Sequence, residues 1–274
     1  MYAETDDRIG EVSRYKTVPQ QVGNRKPKHN SQFKIALALL AGVFVLSSCS
    51  IHPPYPSLPD YDHCAPSGFC SGDLIFVRNL DPEGLDGAIA STTGEYTHVA
   101  IVEAGDSNDY VNLDSSLLIQ PSHDYVIEAL PGRGVIRRPM QEFLNEIYYS
   151  MPDTNYSILS YVTFMQLNLE ANDVDVKQLM QRLHSLVGKP YDDAFMPNND
   201  KYYCSELVYE TFLDSHGRPI FESKPMNFSD STGRIHPYWQ SHFDSIGVPV
   251  PQNAHGTNPT DLSRSKLLFA FKIQ

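Results

Sequence analysis

Apolar residues recur along this chain at two spacings, and each predicts a different kind of element. From Leu74 to Leu130 they come in short dense runs bounded by turn residues, the pattern of buried strands. Three strands are predicted: Leu74–Val77, Thr97–Glu103 and Tyr125–Ala129, the second so apolar that it belongs at the centre of a sheet. Ser71-Gly72-Asp73 turns into the first. Pro131-Gly132-Arg133-Gly134 turns the third back into Val135-Ile136. Between the strands, Arg78–Tyr96 reads as a loop and residues 105–121 as a polar excursion.

Beyond Pro139 the spacing lengthens to three and four. Pro139 opens a short helix through Leu144. Ser157–Leu167 reads as one or two strands. Asp173–Val187 is the clearest helix: Val176, Leu179, Met180, Leu183 and Val187 form one stripe, and Gly188 and Pro190 end it. A second helix begins at Cys204, with Leu207, Val208, Thr211 and Phe212 turned inward and Asn198-Asn199-Asp200 upstream as capping residues. Residues 214–262 are rich in Pro, Gly and Asn and read as irregular, before a closing strand from Leu267 to Ile273. The expected domain covers 71–274 and is of the α+β class, with strands first and strands again among and after the helices.

The first fifth of the chain has another character. Ile35–Leu46 is a run of twelve apolar residues behind Lys34, Lys28, Lys26 and Arg25. Twelve is short of the roughly 20 needed to span a bilayer, and it fits the hydrophobic region of a secretory signal. It ends in Leu46-Ser47-Ser48-Cys49, which resembles the lipobox of bacterial lipoproteins, where the cysteine becomes the lipidated first residue. The alternative is ordinary signal cleavage with Cys49 incidental. The 33 residues before Lys34 are long for a signal, and Val22 offers an alternative start. Residues 1–48 are thus expected to be a signal with an extension, and 49–70 a Pro-rich linker that tethers the domain to a membrane. Beyond residue 48 the chain carries 14 basic against 29 acidic residues, which argues against nucleic acid as a partner. Within the linker, Cys64 and Cys70 are candidates for a disulfide; free thiols, or a metal pair with His63, are the alternatives.

The remaining cysteine, Cys204, opens a helix. The unpaired amides and dipole of a first turn favour a thiolate, which is a nucleophile. It could equally be a small buried hydrophobe. A nucleophile needs a base, and the base an orienting group. Of ten histidines, only His98 opens a buried strand, on one face with Ala100 and Val102. A lone strand histidine is usually a core residue. Glu128 changes that reading, because it puts a carboxylate on the otherwise apolar row of Val126 and Leu130. A buried charge needs a partner, and facing positions on paired strands come within about 4.5–5.5 Å at Cβ. Glu128 can therefore hold His98, or pair with Arg137 or Arg138 as plain structure.

At these residues a family resemblance emerges. Gly72-Asp73-Leu74-Ile75-Phe76, Thr97-His98-Val99-Ala100-Ile101, Gly188-Lys189-Pro190-Tyr191 and Tyr203-Cys204-Ser205-Glu206-Leu207-Val208 resemble the motifs of the NlpC/P60 superfamily of papain-like cysteine hydrolases. Their order, His strand before Cys helix, resembles its circularly permuted branch, the YiiX/YaeF-like or C92 group. Gly256-Thr257-Asn258-Pro259 is a weaker echo. The resemblance implies an antiparallel sheet carrying His98 and Glu128, packed on the Cys204 helix. It implies Cys204 as nucleophile, His98 as base then acid, Glu128 as orienter, and Tyr191 beside the oxyanion, unless Tyr191 is a turn aromatic. No cofactor or metal is expected.

The expected substrate is an amide in a cell-wall peptide. Hydrolysis or transfer of an acyl chain is the runner-up, since the permuted branch resembles the lecithin:retinol acyltransferase group. A non-catalytic cell-wall-binding lipoprotein is the third reading. Phe221, Met226, Phe228, Tyr238, Trp239 and Phe243 in the 214–262 segment read either as an apolar lid for an acyl chain or as a satellite core.

Overall fold

A computed structural model describes residues 64–65, 68–105, 123–152 and 156–271. Cys49, His63 and most of the predicted polar excursion lie outside the described residues. Among the described residues, six strands make one antiparallel sheet: β1 (Leu74–Arg78), β2 (Tyr96–Glu103), β3 (Tyr125–Leu130), β4 (Gly134–Pro139), β5 (Val162–Leu167) and, past a small pair described below, β8 (Leu268–Ala270). Their order is β4-β3-β2-β1-β5-β8. The most apolar strand, β2, lies inside the sheet between β1 and β3, as predicted.

Alternation along the strands divides the core between two faces. Leu74, Phe76, Val99, Ile101, Ile127 and Ala129 belong to one cluster with Leu179, Met180 and Leu183 of helix α3 (Val176–Leu186), with Leu207 and Val208 of helix α4 (Cys204–Thr211) and with Phe212 just after it. Ile75, Val77, Ala100, Val102 and Val126 belong to the other, with Met140, Phe143, Leu144 and Ile147 of helix α2 (Met140–Ser150). Each helix therefore buries one stripe against the sheet, and fully burying a Leu or Phe side chain contributes about 1.5–3 kcal/mol.

Several elements differ from the sequence reading. The Arg78–Tyr96 stretch holds a helix, α1 (Leu85–Thr93), instead of a loop throughout. Its Ser and Thr residues are weak helix formers, but Ser91, Thr92 and Thr93 donate their hydroxyls to carbonyls of the preceding turn. Helix α2 runs past Leu144 to Ser150, because Ile147 extends the stripe of Met140, Phe143 and Leu144. Helix α3 starts behind Asp175, whose Oδ1 accepts from Gln178 N–H at 2.9 Å, and Val187 falls off its stripe at 41% exposure. Before α4, Asn198 and Asp200 take left-handed turn conformations, and the cap is Tyr203, whose N–H donates to Glu206. Only residues 158–160 of the region before Val162 are helical, as a single 3₁₀ turn.

The stretch read as irregular also holds regular pieces. Helix α5 (Pro237–Ile246) has Pro at its first position and ends at Gly247, φ 72°, the left-handed residue that commonly stops a helix. Helix α6 (Pro259–Ser263) starts at Asn258, whose side chain accepts from Asp261 N–H. Two short strands, β6 (Lys224–Pro225) and β7 (His255–Gly256), pair with each other. Thr260 on α6 ties this segment to the sheet: its Oγ1 accepts from Tyr96 N–H at 2.9 Å and donates to Tyr96 O.

Candidate active site

β2 and β3 are paired at Ile101–Ile127, Val102–Val126 and Glu103–Tyr125. Beyond the Ile101–Ile127 pair the ladder ends, with Glu128 one residue further along β3 and His98 three residues back along β2, so the two meet by side chain on a diagonal. His98 Nε2 and Glu128 Oε2 are 2.6 Å apart. Glu128 is fully buried, and its second oxygen accepts from Arg138 Nε at 2.6 Å. Both partnerships expected of Glu128 are therefore present on one carboxylate. Arg138 also donates to Glu146 of α2.

Cys204 reaches the same place from α4. His98, Glu128 and Cys204 line one cavity, and with Nε2 committed to Glu128, Nδ1 is the ring nitrogen left to serve the thiol. Burial opposes a charged imidazole here, but bonds and charge from Cys204 and Glu128 outweigh it and push His98 up to about 10. Burial would raise Glu128 too, yet His98 and Arg138 hold it below the usual carboxylate value. Leu207 N–H to Tyr203 O (3.0 Å) is the first internal bond at this helix start. The amide of Cys204 precedes it and belongs to the orphan donors of a helix N-terminus.

Tyr191 is buried and lines the cavities beside Cys204. Burial, then the neighbouring Cys204, drives its phenol well above 10, so the hydroxyl keeps its proton. The segment that carries it is pinned to β4: Gly188 N–H donates to Val135 O and Val135 N–H to Lys189 O, both at 2.8 Å. Gly134 allows this approach, since a Cβ there would collide with Lys189 O.

Two cavities meet at Cys204. The larger, about 480 Å³, is lined by His98, Glu128 and Arg138 together with Asp81, Asp86 and Glu146. The smaller, about 50 Å³, has walls of Met226, Phe228 and Trp239, with Thr257, Asn258 and Pro259 closing one side. The aromatic 214–262 segment is thus partly pocket wall and partly core: Phe228, Trp239 and Phe243 join the main cluster and stack edge-on with Phe195. Thr97, Ser205 and Thr257 also line the small cavity; the sequence reading placed each of them in a motif without giving it a role.

A second polar cluster was also missed. Glu103 is buried and accepts from Arg137 at 2.6 Å, with His184 Nε2 at 3.2 Å. Burial would raise its carboxyl, but His184 and Arg137 hold it down at about 2. His184, read as a polar-face residue, thus joins α3 to β2. Cys64 and Cys70 are bonded to each other, and among the described residues Cys204 is the free cysteine.

A family profile described as permuted papain-like amidase enzyme, YaeF/YiiX, C92 family, matches residues 69–270. Among solved structures, the crystal structure of metalloprotein yiiX from Escherichia coli O157:H7 is similar in fold, with 18% identity, a TM-score of 0.51, and coverage of 74% of this chain and 97% of that one. No curated protein matches. The sheet order, the helix that delivers Cys204 after the sheet, and a family match over most of the chain agree: the chain belongs to the permuted papain-like cysteine amidases of the C92 family.

Proposed function

We propose that this amidase cleaves its substrate by nucleophilic catalysis at Cys204, with His98 and Glu128 completing the triad. The observation that carries the reading is an imidazole held by a buried carboxylate, 2.6 Å from Nε2, in the same cavity as the only free thiol among the described residues. Cys204 Sγ, having passed its proton to His98, attacks the amide carbonyl carbon and the carbonyl electrons move to oxygen. The Cys204 amide and the Tyr191 hydroxyl donate to that oxygen. His98 gives its proton to the leaving nitrogen, the C–N bond breaks, and an amine departs. Water then attacks the thioester while His98 takes its proton, and the acid leaves. Glu128 fixes the ring and balances its charge.

The substrate class is an amide in a cell-wall peptide, met at an envelope surface by a protein tethered through lipidated Cys49. The acidic lining of the larger cavity suits the departing amine. The aromatic wall of the smaller one favours a second reading, hydrolysis or transfer of a lipid acyl group. The yiiX protein is described as a metalloprotein; here, among the described residues, no three His, Cys, Asp or Glu side chains converge to hold an ion. The test is to incubate wild type and Cys204→Ala with purified muropeptides and, separately, with N-acyl and ester lipids. Cys204-dependent cleavage of muropeptide is the expected result. Release of fatty acid with muropeptides untouched overturns the first reading in favour of the second.

A further inference from the structure

Glu128 is held from both flanks. It lies on β3, between β2 and β4. His98 reaches its Oε2 from β2 and Arg138 reaches its Oε1 from β4, each at 2.6 Å. On β4 the residue paired with Glu128 is Ile136, and Arg138 is paired with Val126, so the guanidinium arrives on a diagonal along one face of the sheet. Each oxygen of the carboxylate is thus fixed by a different cation.

Packing alone does not account for Arg138. It is 5% exposed, and its guanidinium lies 5.3 Å from the centre of the Phe143 ring. An apolar side chain would cover Phe143 without the cost of burying a charge. Its outer partners, Glu142 and Glu146 on α2, are half exposed and keep their contact with water. Glu128 has none.

The reaction gives the guanidinium a task. His98 yields its proton to the leaving group and later takes one from water. In the interval the imidazole is neutral, and Glu128 loses one of its two counter-charges. Asp81, Asp86 and Glu146 in the same cavity are acidic, the Cys204 sulfur carries the acyl group, and the Tyr191 phenol keeps its proton. Arg138 is then the cation that keeps the carboxylate ionised. Asp73 and Glu206 show what burial does otherwise: they accept from amide N–H groups in place of cations, and burial pushes them up to about 7 and about 8.

We propose that Arg138 is a positioning residue of the active site, which keeps Glu128 an oriented carboxylate while His98 gives up and regains its proton. This rests on the nucleophilic reading of Cys204 above and adds a fourth residue to that machinery.

The experiment follows steady-state hydrolysis of p-nitrophenyl acetate between about pH 5 and 9, in which His98 must take a proton from water when the acetyl group leaves Cys204. The rate of Cys204→Ala is subtracted, and near-ultraviolet circular dichroism gives the folded fraction. Arg138→Gln should lose about tenfold at pH 6, where its Glu128 takes a proton, and should recover toward wild type by pH 9. Arg138→Lys keeps a charge there, and its ratio to wild type should not change with pH. Loss of fold runs the other way, because a stranded carboxylate destabilises most where it is ionised, at high pH. A gap between Arg138→Gln and wild type that is flat or widens with pH overturns the proposal, as does an Arg138→Lys ratio that falls at low pH. If Arg138→Gln does not fold, Glu128→Gln is compared with the double variant Glu128→Gln/Arg138→Gln, in which both charges are gone. A residue acting through Glu128 should leave those two profiles equal, and a further loss in the double variant overturns the proposal. Wild-type hydrolysis no faster than that of Cys204→Ala overturns the nucleophilic reading and this proposal with it.

Discussion

Glu128 serves two cations with one buried carboxylate, His98 through Oε2 and Arg138 through Oε1, each at 2.6 Å. Removing it takes the carboxylate from His98 and leaves Arg138 with Glu146 alone, and breaking a buried pair from one side costs about 3–5 kcal/mol. The charge state of His98 follows from this arrangement. A ring pushed up to about 10 is an imidazolium at neutral pH, placed to stabilise negative charge on Cys204. Replacing His98 by Ala should therefore slow alkylation of Cys204 by iodoacetamide at pH 6–7 by at least about tenfold, read by mass spectrometry; equal rates would sink the pairing. Stability should carry the same signature. Because the folded His98 value lies above its ordinary 6.5, its contribution is complete below pH 6.5 and is lost as pH rises toward about 10. Glu128 is depressed, so its contribution is present above the usual carboxylate value and is lost as pH falls through its folded value. Burial raises Asp73 to about 7 and Glu206 to about 8, and both lower stability as they are forced to ionise. The difference between wild type and His98→Ala isolates the histidine: urea midpoints of the two should converge as pH climbs from 6 to 10.

The helices and strands were legible wherever a face is buried and illegible where the contacts are distant. The row of Val126, Glu128 and Leu130 announced a buried carboxylate because strand alternation is strict. Helix α5 carried its own signals, Pro237 and Gly247, but they lay among other Pro and Gly residues and so passed as loop. The small cavity was legible only in its aromatic wall, read as a lid or a satellite core. Its wall assembles residues from α1, the β2 start, α4 and the 226–259 segment, and its anchors, such as Thr260 on Tyr96, are 164 residues apart in sequence. One local feature nevertheless controls the site from outside it. Gly134, at φ 74°, lets Lys189 and hence Tyr191 approach β4. Gly134→Ala should destabilise the fold by ~1–3 kcal/mol in urea unfolding and lower Cys204-dependent turnover more than a surface Gly132→Ala, whose added Cβ meets nothing within 4 Å. Equal turnover in the two variants would remove Tyr191 from the site.

On the scale of the whole molecule, the permuted order was visible in the sequence because four short motifs kept their identity while changing places. The proposed leader rests on twelve apolar residues behind basic ones, and cell fractionation tests it. Cys49→Ala should move the protein from the membrane to the soluble fraction, and the unreduced mature chain should have an intact mass two hydrogens below the fully reduced one. An unreduced mass equal to the reduced one would remove the Cys64–Cys70 bridge.

That bridge has a further consequence when the chain is followed in time. Cys64 and Cys70 are six residues apart, and Cys204 is made 134 residues after the second of them. At ~5–20 residues per second, synthesis separates the two events by roughly ten seconds. On delivery to an oxidising compartment in that order, the near pair would meet oxidant first, and Cys204 would follow the strands that carry His98 and Glu128. The rearranged order thus places the reactive sulfur late in the chain, behind both its imidazole and its carboxylate, an order that a chain beginning with its nucleophile would not have.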